Sequence, residues 1–286
     1  MVQVLMNSIV TGAMYALVAV TFSRIYSVSK VLHFAYAGVY TVSAYTYYIA
    51  FQATNGRNWV AAAIAVAIAG ILGGAIERLV YRPLRTRHAS GLTTLLASLG
   101  VLMVVQNSIA LFFGDLSRTL HSSELALKVE VFGAYLTPLR AFTVVISLWL
   151  ILVCWFLLRF TRFGLKVRAV ADNQGLASVA GLDNDRIILW TTAIASAISA
   201  VAAICQAYDT GINPLMGFNI LLMGVVAAVV GGMHGLLGAS AGGFFVALVQ
   251  NLGTWVFPNQ WQDMFVFVLL IAFLLSRVSV FSATQR

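Results

Sequence analysis

Apolar runs alternate with short charged clusters along the whole of this chain. Uncharged stretches cover Val4–Ser23, Val31–Gln52 (with one histidine, His33), Asn58–Ile76, Ala89–Gly114, Ala141–Leu158 and Ile187–Tyr208. A helical bilayer span needs about 20 such residues, so each run predicts one span. Thr210 to Gln262 contains no Asp, Glu, Lys or Arg and is too long for one. The Gly231-Gly232-Met233-His234-Gly235 sequence breaks it into two short segments, read as two full spans or as a re-entrant pair. Pro258, suited to a first helical turn, opens a last span ending at Arg277.

Composition agrees with this pattern. Of 286 residues, 61% are hydrophobic and 9% charged, with mean hydropathy +0.93, whereas soluble domains carry about 25% charged residues. The expected fold is an all-α polytopic transmembrane bundle of about eight to nine spans. Residues 1–286 form a single transmembrane domain with no room for a sizeable soluble one. The amino-terminal MVQVLMNSIV has no basic segment and no small-residue cleavage site, so it reads as a first span and not a cleaved signal. Cys154 and Cys205 lie inside apolar runs and read as packing residues.

Charge sets the orientation. With the amino terminus outside and the carboxyl terminus cytoplasmic, Arg24, Lys30, Arg78, Arg82, Arg85, Arg87, Arg159, Arg162, Lys166, Arg168, Arg186, Arg277 and Arg286 fall inside. Arg57, Arg118, Lys128 and Arg140 fall outside. The division is 13 against 4 of the 17 cations, the bias of the positive-inside rule. The net charge of +8 therefore reports topology, and no nucleic-acid partner is expected. The external loop Asp115–Pro138 has nearly balanced charge.

Catalytic chemistry finds no residues to carry it. His33 and His234 lie near helix ends and His88 and His121 in loops, none at metal-ligand spacing. There is no H-E-x-x-H and no paired intramembrane carboxylate, so neither a catalytic nor a metal site is expected. No G-x-x-x-x-G-K-[ST] is present to cradle a nucleotide phosphate, so any ATP energy comes from another subunit. Ion-coupled carriers keep a titratable group deep in the bilayer. Here Glu77, Asp209 and Asp263 sit at span ends, which points to an outside energy source or a passive pore.

The internal loop Arg159–Arg186 concentrates five cations and three acids. Its middle, Ala169–Gly181, predicts one short helix bounded by Gly164 and Gly181, with Val170, Leu176, Ala177 and Ala180 on an apolar face. Such an element is read either as docking onto a motor domain or as a solvated loop. Gly231, Gly235, Gly238, Gly242 and Gly243 recur at spacings that let membrane helices pack closely, with a pore-lining break as the alternative. The second span is rich in aromatics: Tyr36, Tyr40, Tyr45, Tyr47, Tyr48 and Phe51. Tyr36, Tyr40, Tyr47 and Phe51 share one face, read as packing and interfacial anchoring or as a pathway for amides, ring acids or cations.

The loop pattern R-x-x-R-x-G-x-x-x-R-A-x-A-D-x-x-x-x-A-x-x-x-G-L-D-x-D-R resembles the coupling segment of the LivH-type permeases, the branched-chain amino acid family of ABC importers. Other matches follow in the family's order. Glu77-Arg78 with Tyr81-Arg82-Pro83-Leu84-Arg85 resembles E-R-x-x-Y-R-P-x-R, and Gln106-Asn107 a Q-N in the next span. Gly211-Ile212-Asn213-Pro214 with Gly217-Phe218 resembles G-x-x-N-P-x-x-G-F, and Gly231 to Gly243 a G-G-x-G-x-x-x-G-A-x-x-G-G. The resemblance covers nearly the whole chain.

The resemblance implies a permease subunit in the bacterial inner membrane, importing small polar solutes, most of all amino acids. Its partners would be two ABC ATPase subunits holding ATP and Mg, a second permease (homologous or identical), a periplasmic or extracellular substrate-binding protein and the lipid bilayer. The chain itself would hold no cofactor and would not be an enzyme. Coupling to the ATPase would involve Arg168, Ala169, Ala171, Asp172, Leu176, Ala177 and Gly181. Candidate pathway residues are His33, Tyr36, Tyr40, Gln106, Asn107, Asn213 and Pro214. The chain departs from the family's N-F-A-H-G-E, reading His33-Phe34-Ala35-Tyr36-Ala37-Gly38, which puts the substrate in question. A urea or short-amide importer of the same family, or a passive channel without ATPase partners, is the alternative.

Overall fold

The computed structural model describes residues 2–120, 129–131, 134–233 and 235–283. His121, Lys128, His234 and Arg286 lie outside them. Nine helices correspond to the nine apolar runs. They are α1 (Val2–Ser29), α2 (Ala35–Ala53), α3 (Asn58–Ile76), α5 (Gly91–Phe113), α6 (Pro138–Phe160), α9 (Asn184–Thr210), α10 (Met216–Gly231), α11 (Leu236–Val256) and α12 (Gln262–Ala283). The short helices α4 (Arg82–Thr86), α7 (Arg162–Asp172) and α8 (Gln174–Val179) lie between them. Antiparallel strands β1 (Val129–Val131) and β2 (Ala134–Leu136) form a two-stranded sheet. Among the described residues six helices are long and apolar enough to cross a membrane, with α10 and the stretch Gln262–Leu275 of α12 as shorter apolar helices. The fold is an all-α polytopic bundle.

Helix α1 is its axis. Residues 12–23 are buried on every side, and α1 packs on α6, α9, α10 and α11. Helices α5 and α6 lie at the margin and expose Leu111, Phe112, Phe142, Trp149 and Phe156, apolar surface that suits a hydrocarbon surround.

Glycines set how close the central helices come. A Cβ on Gly231 would lie 1.9 Å from the Gly238 carbonyl oxygen, and one on Gly243 2.3 Å from the Ala16 backbone nitrogen. No side chain is tolerated at such separations, so the glycine pattern serves close packing. The chain reverses between α10 and α11 through Gly232, at φ +100°, a conformation that favours glycine. Helix α10 has 16 residues, about 24 Å at 1.5 Å per residue, against a hydrocarbon thickness of about 30 Å. Helix α11 has 21 residues and matches that thickness. The pair is thus one short segment and one full-length helix.

Two expectations are corrected locally. Pro258 precedes a 3-10 turn at Asn259–Trp261, and the last helix begins only at Gln262. Helix α3 does not stop at Ile76 but continues through a π turn, Glu77–Tyr81, into α4. Pro83 has no N–H for an i→i−4 bond, and the wider turn just before it closes instead with the Arg82 N–H on the Glu77 carbonyl.

Long-range bonds define the two ends of the bundle. Lys30 with Ala171 and Arg85 with Asp185 lie at one, hereafter the basic end. Arg118 with Ile212, Arg140 with Asp209 and Gln3 with Tyr135 lie at the other.

Candidate functional site

The loop singled out by its charge forms two helices at the basic end, not the one expected over Ala169–Gly181. Thr161 caps α7, accepting from the Gly164 N–H at 3.0 Å. Gly164 is required by proximity, since a Cβ there would lie 2.3 Å from the Leu157 carbonyl oxygen. The chain breaks at Asn173, whose side chain caps α8 by accepting from Leu176 N–H at 3.0 Å. Helix α8 closes with Gly181 at φ +81°. The Gly181 N–H bonds to the Ser178 carbonyl and the Leu182 N–H to the Ala177 carbonyl, both at 3.0 Å. That is a Schellman closure, in which a left-handed glycine satisfies carbonyls left over at a helix end.

These two helices are fastened to the bundle. Gln174 Nε2 donates to the Val28 carbonyl at 2.5 Å, and Lys30 Nζ to the Ala171 carbonyl at 2.9 Å. Asn184 Nδ2 donates to the Gln174 carbonyl at 2.8 Å. Beneath them Val167, Val170 and Ala177 pack with Val28, Ile187 and Ile188. The apolar set expected on one face is therefore divided. Val170 and Ala177 (4% exposed) point into the bundle, while Leu176 (68%) and Ala180 are exposed, as is Val179 (86%), a residue outside the expected set. Arg168, Ala169, Asp172 and Gly181 are exposed and Ala171 is half-buried. Ala177 thus holds the element in place and is not part of its free surface.

Beside this element lies a charge cluster that the sequence showed only as a motif. Arg85 Nη1 donates to Glu77 Oε1 at 2.9 Å, and Nη2 to Asp185 Oδ1 at 2.7 Å. Arg82 Nε reaches Asp185 Oδ2 at 2.9 Å. Glu77 is only 1% exposed, so its charge depends on this pairing. Together these bonds join the end of α4 to the start of α9 and orient the base of the loop.

The candidate pathway residues do not converge. His33 is buried against the Tyr81 ring, centroids 4.4 Å apart, and Tyr81 donates to Ser98 Oγ at 2.7 Å. The Tyr36 hydroxyl is buried on Thr21 of α1. Asn107 lies on the exposed side of α5, its amide turned back to the Met103 carbonyl at 2.8 Å, with Gln106 half-buried beside it. Asn213 makes a turn, accepting from Leu215 N–H at 3.0 Å, and Pro214 is buried at the entry to α10. Only Tyr40 leads to open space: its hydroxyl donates to Gln206 Oε1 at 2.7 Å.

Gln206 lines a cavity of about 310 Å³ at the end of the bundle opposite the loop, between α1, α9, α10, α11 and α12. Its polar lining includes Tyr15, Asp209, Asn219, Gln250, Asn251 and Asp263. Tyr15 donates to Gln250 Oε1 at 2.8 Å, and Gln250 Nε2 to Asp263 Oδ1 at 2.9 Å. Sequence reading missed this site. The available signal was a set of amide side chains (Gln206, Asn219, Gln250, Asn251) in otherwise apolar helices, where polar groups mark function. Among the described residues no cluster of three or more His, Cys, Asp or Glu is placed to hold a metal.

The family profile for the branched-chain amino acid transport system permease component matches residues 4–274. The chain belongs to that family. It is a multi-pass membrane protein and a transport subunit, not an enzyme. It is 29% identical over 286 residues to the high-affinity branched-chain amino acid transport system permease protein LivH of Salmonella typhimurium, spanning 96% of this chain and 92% of that one. LivH of Escherichia coli K12 gives the same identity and coverage. The permease protein BraD of Pseudomonas aeruginosa is 31% identical over 295 residues, spanning 96% and 93%. No solved structure matches significantly.

Proposed function

We propose that this chain is the permease subunit of an ATP-driven importer of amino acids in a bacterial inner membrane. The energy comes from two ATPase subunits, which bind the ATP and Mg. A second permease completes the membrane part, and a periplasmic or extracellular binding protein delivers the solute. The basic end faces the cytoplasm, as the cation bias requires, and α7–α8 is where the ATPases act.

The observation that carries this reading is the division of the loop into an anchored face and a free one. Leu176 and Val179 are large apolar side chains held out on a six-residue helix. Gln174 and the buried Ala177 fix that helix to α1 and α9, and Lys30 fixes the adjoining α7. Exposed apolar residues on a rigid mount suit a partner's groove. Because the mount is rigid, a push on α8 moves α1 and α9, two helices that line the cavity at the far end. The ATPase thereby shifts the equilibrium between pathway states through its differential contact with them.

Reconstitution of the chain in proteoliposomes, with and without the ATPases and second permease encoded beside it, tests the proposal. Uptake of labelled amino acid that needs both the partners and ATP is the expected result. Equal flux from the chain alone would make it a passive facilitator, and ATP-dependent uptake of urea in place of amino acids would reassign the solute.

A further inference from the structure

The cavity at the end remote from the loop carries an unbalanced charge. Among the described residues it is lined by two carboxylates and by no Lys or Arg. Asp209 is neutralised from outside the lining by Arg140 Nε at 2.7 Å. Among the described residues Asp263 receives only the amide of Gln250, at 2.9 Å, and it is exposed to the cavity. One negative charge thus faces the space without a cation among the described residues.

Two tyrosines orient the amides around it. The Tyr15 hydroxyl donates to Gln250 Oε1, which turns the Gln250 amino group onto Asp263 Oδ1 and leaves Oδ2 without a partner among the described residues. The Tyr40 hydroxyl donates to Gln206 Oε1, which leaves the Gln206 amino group as a donor into the cavity. Asn251 spends its amino group on the Ala247 carbonyl at 2.8 Å and offers its oxygen. Met14, Ile220, Met223 and Phe267 form an apolar wall. The site therefore presents an anion, an oriented donor and a greasy surface, in a space at the lower edge of the roughly 300–1,000 Å³ usual for small-molecule sites.

We propose that this cavity binds an aliphatic α-amino acid as its zwitterion, with Asp263 taking the ammonium and the Gln206 amide donating to the carboxylate. The assignment rests on the transport reading above and adds the residues that recognise the solute. A carboxylate without a counter-charge attracts a solute bearing a positive group. It gives no preference to neutral urea, and it repels a carboxylic acid that has no amine. The apolar wall takes the side chain and excludes water from it.

Saturation-transfer NMR on the purified full-length permease, together with whatever partner chains co-purify, tests the site. The probes are L-leucine, isoamylamine (no carboxylate), isocaproate (no amine) and urea. Leucine is expected to bind with its methyl groups in contact. Asp263→Asn should weaken leucine and isoamylamine about tenfold or more, the loss of one charge-assisted hydrogen bond, and should not weaken isocaproate. Gln206→Leu should weaken leucine and isocaproate and spare isoamylamine. Unchanged elution volume and melting temperature show that both variants fold. Absence of leucine binding to the natural chain, competition by urea equal to that by leucine, or indifference to Asp263→Asn would each overturn the site. ATP-driven leucine uptake that survives both substitutions overturns the site and keeps the transport reading. Leucine binding lost in Asp263→Asn, in a chain that shows no ATP-driven uptake, keeps the site and sinks that reading.

Discussion

Arg85 holds Asp185 through two nitrogens, Nη2 at 2.7 Å and Nε at 3.2 Å from the same carboxylate oxygen, across 100 residues of sequence. Its remaining terminal nitrogen neutralises the buried Glu77. Replacing Arg85 by Leu strands that carboxylate, and breaking a buried pair from one side costs about 3 kcal/mol or more. The single variant should melt well below the natural protein in a detergent thermal scan. Adding Glu77→Gln should restore much of the loss. A single variant as stable as the natural chain would show that the cluster carries no such strain.

The two faces of α7–α8 should respond differently. Ala177→Arg pushes a charge among Val28, Val167 and Ile188, where an unpaired charge is costly, so it should lower folded yield. Leu176→Asp and Val179→Asp alter only exposed positions. They should fold normally and abolish stimulation of ATP hydrolysis by solute. The measurements are the monodisperse fraction after purification and ATPase activity in the reconstituted complex.

Gly181 separates conformation from crowding. Nothing lies within 4 Å of a Cβ placed there, yet its φ is +81°. Gly181→Val should therefore cost about 1–3 kcal/mol through backbone strain alone. Gly181→Asn, which tolerates the left-handed region better, should cost less. Equal melting temperatures for the two would refute the strain argument.

Gly231→Ala tests the reverse, steric case. Its Cβ would meet the Gly238 carbonyl at 1.9 Å, whereas Gly100 has nothing within 4 Å. Gly231→Ala should part α10 from α11 and reduce the folded fraction. Gly100→Ala should be neutral or slightly stabilising, since alanine favours the helix by about 1 kcal/mol.

Tyr36 and Tyr40 should part company too. Tyr36→Phe removes a buried bond to Thr21 and should cost about 1 kcal/mol of stability without changing which solutes are transported. Tyr40→Phe frees the Gln206 amide to turn and should change solute preference. Identical selectivity in uptake competition assays for Tyr40→Phe and the natural chain would exclude that residue from recognition.

Much of this architecture was legible in one dimension because a bilayer makes span length and charge position decisive. Ile187–Tyr208 and Asn58–Ile76 fell within a few residues of α9 and α3, since a spanning helix must satisfy its own backbone in lipid. The loop after Arg159 stood out because charge is rare elsewhere. The divided faces of α7 and α8 were not legible: Val170, Leu176, Ala177 and Ala180 show one apolar period only if the helix is continuous. Asn173 breaks it by offering its side chain to the Leu176 N–H, a local competition that composition does not reveal.

The all-α class, the places of the apolar helices, the family and the prominence of the basic loop can all be read from the order of residues. These depend on hydrophobic length, charge and motif order, which are properties of single segments. Folding in three dimensions adds that Ala177 seats the loop while Leu176 is exposed, that Arg85 joins Glu77 to Asp185, and that Tyr15, Gln206, Gln250 and Asp263 face one cavity. Those relationships depend on how separate helices pack: α1 and α9 seat the loop, α9 meets the turn between α3 and α4, and α10, α11 and α12 meet around the cavity.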